Sequence, residues 1–363
     1  MKTSTIPAAA AALALLGAGA AQAQSAVTIY GLIDAGVYAK QLSGQPRTIN
    51  VDGSLMETSF IGFRGSEDLG GGLRANFDIA SFMSNDSGGA TRGIPGENLW
   101  SKTAWVGLSG GWGTLRLGRI TTANFLSNMR YAPFGGSATL SPTFLHTYIG
   151  SPAQPMTTGS GATDSAWSNS VAYTSPTLAG VLVRLQAAAG EGSTAGRRFG
   201  GSIGYSGDAF DAMLSFDRIE RAALTFPLAI PTLPGALPPF SASSFDTLQL
   251  GASYDLKTVK LYGQASRSEI DGTRAGPPGA KTIELRTLQL GVAVPSGNGR
   301  FLASAARTGK SQTDLPDQDR STVTIGYDHD LSKRTDVYAA LMSDKVTGLA
   351  RGTGYGLGLR HRF

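Results

Sequence analysis

His146, His329 and His361 are the only imidazoles in the chain, and cysteine is absent. Thiolate zinc sites and disulfides are thereby excluded, and no two histidines are close enough for a HExxH-type metal motif. Nothing local announces a Ser-His-Asp triad. Gly309-Lys310-Ser311 matches the end of a phosphate-binding loop, but the glycine required five residues earlier is Ser304 and no helical pattern follows. No catalytic residue, metal site or cofactor is therefore assigned. What remains for chemistry is charge: 31 Lys and Arg against 26 Asp and Glu, a net +5, scattered rather than bunched. That distribution gives nucleic-acid binding no support. Spaced along strands, however, such charges can set the field in a water-filled space.

The elements that must carry these charges show in a period of two. Val27, Ile29, Ile33 and Val37 share one parity, with Thr28, Tyr30 and Asp34 on the other. The same alternation runs through Phe210–Asp217, Leu248–Asp255, Val259–Ser266 and Thr322–Asp328. Successive side chains of a strand face opposite ways, so each segment has one apolar and one polar face. Seven short turns, at Asp68–Gly72, Gly110–Gly113, Pro176–Gly180, Ser206–Ala209, Asp255–Thr258, Ser296–Gly299 and Ser332–Thr335, alternate with eight longer segments, dividing the chain into sixteen strands. Among the longer segments are Asp86–Glu97, Thr121–Ala166, Arg221–Ser244 and Gln312–Asp319.

A soluble sandwich and a membrane barrel share this pattern. Strands of about 9–12 residues suit a tilted membrane crossing. The polar faces carry Arg64, Arg74, Asp78 and Arg184 in mid-strand, which a wet lumen tolerates and a packed core does not. Charged residues are only 16%, below the roughly 25% of soluble proteins, and glycine is 49 of 363. The predicted fold is all-β, a 16-stranded antiparallel transmembrane barrel.

The N-terminus predicts an export signal over residues 1–23: Lys2, an apolar stretch from Ala8 to Ala21, and the small-x-small site Ala21-Gln22-Ala23. That stretch is short of the roughly 20 residues a spanning helix needs. The barrel domain then covers residues 24–363. At the other end Tyr355, Leu357, Leu359, His361 and the terminal Phe363 share one parity, a strand ending on an aromatic residue, as outer-membrane barrels commonly do for their assembly machinery.

Six ordered motifs carry a family resemblance: Val27-Thr28-Ile29-Tyr30-Gly31-Leu32-Ile33-Asp34-Ala35-Gly36, Gly62-Phe63-Arg64-Gly65-Ser66-Glu67-Asp68-Leu69-Gly70, Ala104-Trp105-Val106-Gly107-Leu108, Leu115-Arg116-Leu117-Gly118-Arg119, Asn169-Ser170-Val171-Ala172-Tyr173 and Leu359-Arg360-His361-Arg362-Phe363. Over the whole mature chain it resembles general trimeric porins of Gram-negative bacteria, of the beta-proteobacterial type. The resemblance implies a homotrimer in outer-membrane lipid and lipopolysaccharide, insertion by the barrel-assembly machinery with Phe363 as signal, and passive diffusion of small solutes and ions. It further implies that the third long loop, about 121–166, folds inward as a constriction, with Pro133-Phe134-Gly135-Gly136 at its tip. A structureless loop of that length needs a functional reason.

The sequence departs from the family where selectivity is set. Phe60 stands where the second strand often holds arginine, Lys102 keeps the charge of the fourth-strand position without the planar fork, and Ala172 stands at the sixth-strand position. Inward parity selects Arg64, Arg74, Arg116, Arg184 and Lys260. Lys102 joins them by family correspondence alone, and Arg119 ends its strand, where a bulge turns side chains. Between 121 and 166 the charges are Arg130 and Asp164, which cancel. Against acids at Asp34, Asp78, Asp211 and Asp217, the expected pore-lining set is Arg64, Arg74, Lys102, Arg116, Arg119, Arg130, Phe134 and Phe60, giving a mild anion preference. A channel selective for one solute class, aromatic or organic-anionic, is the alternative that Phe60 and the uncharged third loop keep open; a barrel enzyme, with His329 as its candidate, or an adhesin is a more distant one. Trp100, Trp105, Trp112 and Tyr338 are expected in interfacial girdles.

Overall fold

A computed structural model describes residues 26–92, 97–149, 164–190, 196–220, 225–226, 240–274, 281–313 and 315–363. The expected leader (1–23) and positions 150–163 of the expected constriction loop lie outside the described residues. In chain order the strands are β1 (Ala26–Lys40), β2 (Thr48–Asp52), β3 (Phe60–Gly70), β4 (Leu73–Phe82), β5 (Thr103–Gly110), β6 (Gly113–Thr121), β7 (Ala166–Thr174), β8 (Val181–Ala188) and β9 (Arg198–Ser206). They continue with β10 (Phe210–Glu220), β11 (Thr225–Phe226), β12 (Phe240–Asp255), β13 (Lys260–Arg274), β14 (Lys281–Ser296), β15 (Gly299–Gln312), β16 (Leu315–Asp330), β17 (Thr335–Val346) and β18 (Gly352–Arg362).

Every neighbouring pair is antiparallel, and β18 returns to β1 with Ala35 opposite Leu359, closing the sheet. Sixteen strands form the wall. The other two are additions: β2 pairs with the Gly36–Lys40 end of β1, and β11 forms a two-residue ladder with β12. Closure leaves no wall strand with a free edge, the condition for backbone amides to cross hydrocarbon.

The alternation is inverted relative to a soluble protein. On β14, Leu288 and Leu290 are 57% and 63% exposed while Gln289 between them is 0% exposed. The apolar residues face outward and the polar ones pack inward, which decides for the barrel and against the sandwich.

Strand length departs from expectation. β12, β14 and β16 run to 16 residues each. Gln312–Asp319, expected as a long loop, is instead the end of β15 and the start of β16, with Gln312 opposite Leu315 and Lys310 opposite Gln318. Ladder hydrogen bonds continue past the apolar band, where lipid-facing alternation is no longer required, so a polar sequence there reads as loop. Two expected girdle residues are also corrected. Tyr338 is 3% exposed and donates to Asp34 Oδ1 at 2.5 Å. Trp105 sits opposite Asp78, on the parity contrary to the exposed Val106 and Leu108.

Inside the wall, the chain after β6 forms helix α1 (Ala123–Arg130), helical turn α2 (Pro142–Phe144) and a π-turn over Leu145–Ile149. Thr122 caps α1 by accepting from the Phe125 N–H at 3.2 Å, and Pro133 follows its end. Inward glycines on the wall make room for it. A Cβ on Gly251 would lie 2.2 Å from the Tyr131 ring, and one on Gly291 would lie 2.5 Å from Pro133. Side-chain anchors complete the seat: the Gln264 amide donates to Asn128 O at 3.1 Å and the Ser137 hydroxyl to Leu55 O at 2.7 Å.

Candidate functional site

Two cavities flank this inward segment. One of about 700 Å³ is lined by Lys40, Asp86, Arg92 and Tyr148; the other, of about 200 Å³, by Met56, Glu57, Arg300 and Arg362. The strand ends that line them are opposite, so residues 122–149 lie between the two mouths of the barrel.

The charges divide by wall. On β15 to β18 the inward bases are paired. Arg300 meets Asp328 at 2.6 Å, Arg362 meets Asp336 at 2.8 Å, and Arg360 reaches Asp336 and Glu57 at 3.1 and 3.2 Å. Asp328, Asp330 and Asp336 come close enough to suggest a metal site, but these arginines are the counterions of Asp328 and Asp336. Arg320 and Asp344, both 0% exposed, pair at 2.9 Å.

On β3 to β8 four bases make no salt bridge among the described residues. Arg64 lies over the Tyr30 ring at 4.8 Å, while Asp78, opposite it in register, is occupied by the Tyr30 hydroxyl at 2.6 Å. Lys102 precedes β5; its backbone N–H bonds Ala80 O at 3.1 Å and its Nζ lies 4.6 Å from the Phe60 ring centre and 5.4 Å from that of Phe82. Strand parity would send Lys102 outward. It turns in because it stands before the strand, beside two inward phenylalanines paired across β3 and β4. Arg116 donates to Thr174 Oγ1 at 3.0 Å and lies 5.4 Å from the Trp105 ring. Arg184 reaches Met213 Sδ at 3.9 Å.

The remaining expected bases are elsewhere. Arg74 is the second residue of β4 and faces Asp68 at 3.8 Å, beside a turn. Lys260 begins β13, 5.3 Å from the Tyr262 ring. Arg119 lies at a β-bulge, where the pairing of β6 with β7 shifts between Gly118 and Ile120. Its guanidinium folds onto Asp164 at 2.5 Å and Ser101 O at 2.7 Å. Arg130 is bonded to Asp211, which also accepts from the Tyr131 hydroxyl at 2.5 Å. Arg130 and Asp164 thus do not cancel each other; each is neutralised by a wall residue. Phe134, expected at the lumen, is 2% exposed in an apolar cluster with Leu55, Leu140, Leu302 and Tyr338. An aromatic loop tip gains more by packing under the wall than by facing water.

The expected lumen acids are also engaged. Asp34 is 0% exposed and accepts from the N–H groups of Leu55, Met56 and Glu57 at 3.1–3.2 Å, tying that turn to β1. Asp217 lies close to Asn124 of α1 and makes no salt bridge among the described residues. Arg64, Lys102, Arg116 and Arg184, without a salt bridge among the described residues, make the β3–β8 side of the lumen basic.

Two groups of residues are not assigned to the lumen by the sequence reading, which places Trp105 in an interfacial girdle. Tyr30 and Trp105 share inward parity with Arg64 and Arg116, a signal that was available. The clamp on the inward segment gave no such signal. His146 Nε2 and Nδ1 lie 2.8 Å from Thr322 and Thr308. Thr322 donates its single proton to Asp344 at 2.6 Å, so it accepts from Nε2–H, and Nδ1 accepts from Thr308, which in turn accepts from Thr287 at 2.7 Å. Burial, then the neighbouring Arg320, holds the imidazole pKa well below its usual 6.5, so His146 is neutral. His329 and His361 take part in no such network: they contact Tyr327 and Thr335 on the outer face.

The fold is shared with known proteins. The chain is 29% identical to outer membrane porin protein 32 of Delftia acidovorans over 97% of this chain and 98% of that one. It is 26% identical to an outer membrane porin protein of Bordetella pertussis over 95% and 96%. Among solved structures it is similar to the anion-selective porin from Comamonas acidovorans, with a TM-score of 0.74 at 26% identity, covering 94% of this chain and 100% of that one. The family model described as Gram-negative porin matches residues 8–349: this closed barrel, polar inside and apolar outside, belongs to the Gram-negative porin family.

Proposed function

We propose that the chain is a diffusion channel of the outer membrane with a preference for anions, passing small hydrophilic solutes and ions without catalysis. Arg64, Lys102, Arg116 and Arg184 carry the reading, because among the described residues they make no salt bridge and the first three share the nearby acid Asp78, whereas Arg130 and Asp164 of the loop are already neutralised. An unpaired basic wall facing a neutral loop favours anions over cations in a narrow aqueous passage. Phe60 belongs to that wall, and the described part of the 121–166 loop, residues 121–149 and 164–166, forms the constriction. The working unit is a homotrimer inserted by the barrel-assembly machinery after removal of residues 1–23. The direct test is the zero-current potential across a tenfold potassium chloride gradient in planar bilayers. A potential of the anion-selective sign supports the reading; a cation-selective sign overturns it.

A further inference from the structure

The unpaired bases of the lumen are interleaved with aromatic rings, and this departs from a bare basic ladder. Lys102 stands between Phe60 and Phe82, Arg64 over Tyr30, and Arg116 beside Trp105. The set is continuous: Phe60 and Tyr30 meet edge to face at 5.8 Å, and Arg64 and Trp105 both sit opposite Asp78 in register. Phe82 is buried at 5% exposed and backs Lys102, while Tyr30, Phe60 and Trp105 are half-buried on the inward parity.

We propose that this strip is a saturable binding track for aromatic carboxylates, an inference that rests on the anion-channel reading and narrows its substrate class. An arylcarboxylate engages both parts. Its carboxylate takes hydrogen bonds from the Lys102 ammonium and the exposed edge of the Arg64 guanidinium. Its ring stacks or sets its edge against Phe60, Tyr30 or Trp105. Asp78 is the acid in the strip, outnumbered by Arg64, Lys102 and Arg116 and already accepting a hydrogen bond from the Tyr30 hydroxyl, so aromatic cations are repelled. Phosphate fits less well, since it is best held by convergent guanidinium groups and here rings separate the cations. An aliphatic carboxylate gains the charge contact alone. The ring contact is worth about threefold to tenfold in affinity.

The test uses the purified native trimer in planar bilayers. Chloride current is titrated with benzoate and, separately, with cyclohexanecarboxylate, which matches it in charge and nearly in size but has no π-face. The expected result is half-block by benzoate at a concentration about threefold to tenfold lower. Phe60→Leu should bring the ratio of the two half-blocking concentrations toward one, and Phe60→Tyr should restore it. Phe216→Leu, on the lipid face at 46% exposed, should leave the ratio as it is. Because the readout is a ratio within each variant, changed conductance or yield does not imitate the effect. Equal half-block by the two anions, or a ratio indifferent to Phe60→Leu, overturns the track while an anion-selective zero-current potential keeps the channel reading intact. A cation-selective potential removes both.

Discussion

Gly31 and Phe363 exchange a pair of backbone hydrogen bonds, Gly31 N–H to Phe363 O and Phe363 N–H to Gly31 O, each at 3.1 Å. The last residue of the chain therefore completes the ladder of the first strand. Its ring lies over Gly31, where an added Cβ would come within 2.6 Å of it and 2.5 Å of Phe60 O. Deleting Phe363 removes both ladder bonds, and Gly31→Leu displaces the ring. Both variants should lower the amount of heat-modifiable barrel in the outer membrane, read from boiled and unboiled samples on denaturing gels. Wild-type amounts for both would contradict a role for this closure in assembly.

The Arg320–Asp344 pair, with Arg320 Nη1 also donating to Leu145 O at 3.1 Å, joins the wall to the end of the inward segment. Asp344→Ala leaves a buried guanidinium without its counterion, a loss of about 3–5 kcal/mol. We expect a lower thermal midpoint for the detergent-solubilised protein and noisier open-channel current. Asp344→Glu, which keeps the charge, should recover part of the midpoint. An Ala variant as stable and quiet as wild type would show that this clamp does not hold the segment.

Acid should loosen the same clamp. His146 is held neutral in the fold, below its usual pKa of 6.5, so the unfolded or released state binds the extra proton. Stability from this group is present above about pH 6.5 and declines as pH falls below it toward the depressed folded pKa. The charged imidazole would then face Arg320 from β16, with Asp344 from β17 as its nearest acid. Limited proteolysis and current noise at pH 7.5 and pH 5 should diverge in wild type. In His146→Gln, whose amide does not titrate, the divergence should shrink; an equal acid response in that variant would assign the effect to other groups.

Lys102→Glu reverses one of the unpaired charges and should reduce the chloride-to-potassium permeability ratio several-fold at low salt. The change should fade between 0.1 M and 1 M salt, as the screening length falls from about 10 Å to about 3 Å. Arg74→Glu, at a turn beside Asp68, should move the ratio less. Equal effects of the two substitutions would mean that the rim, and not the Lys102 strip, sets the preference.

The sequence by itself determined the barrel and the side of the wall on which each strand residue stands. Both follow from period-two alternation, a local property of extended backbone: Leu288, Gln289 and Leu290 announce their faces without reference to any other strand. It did not determine which charges remain unpaired, because that depends on what lies opposite across long separations. Arg130 finds Asp211 81 residues away, and Asp34 is taken up by amides of the turn at Leu55–Glu57 and by Tyr338, 304 residues away. Lys102 escapes strand parity because it lies just outside the strand, and Phe134 leaves the lumen because an apolar cluster lies beneath it. Face is written in the neighbours along the chain. Charge in the lumen is what remains after the closed sheet and the inward segment have brought distant partners together, and only the tertiary structure decides that remainder.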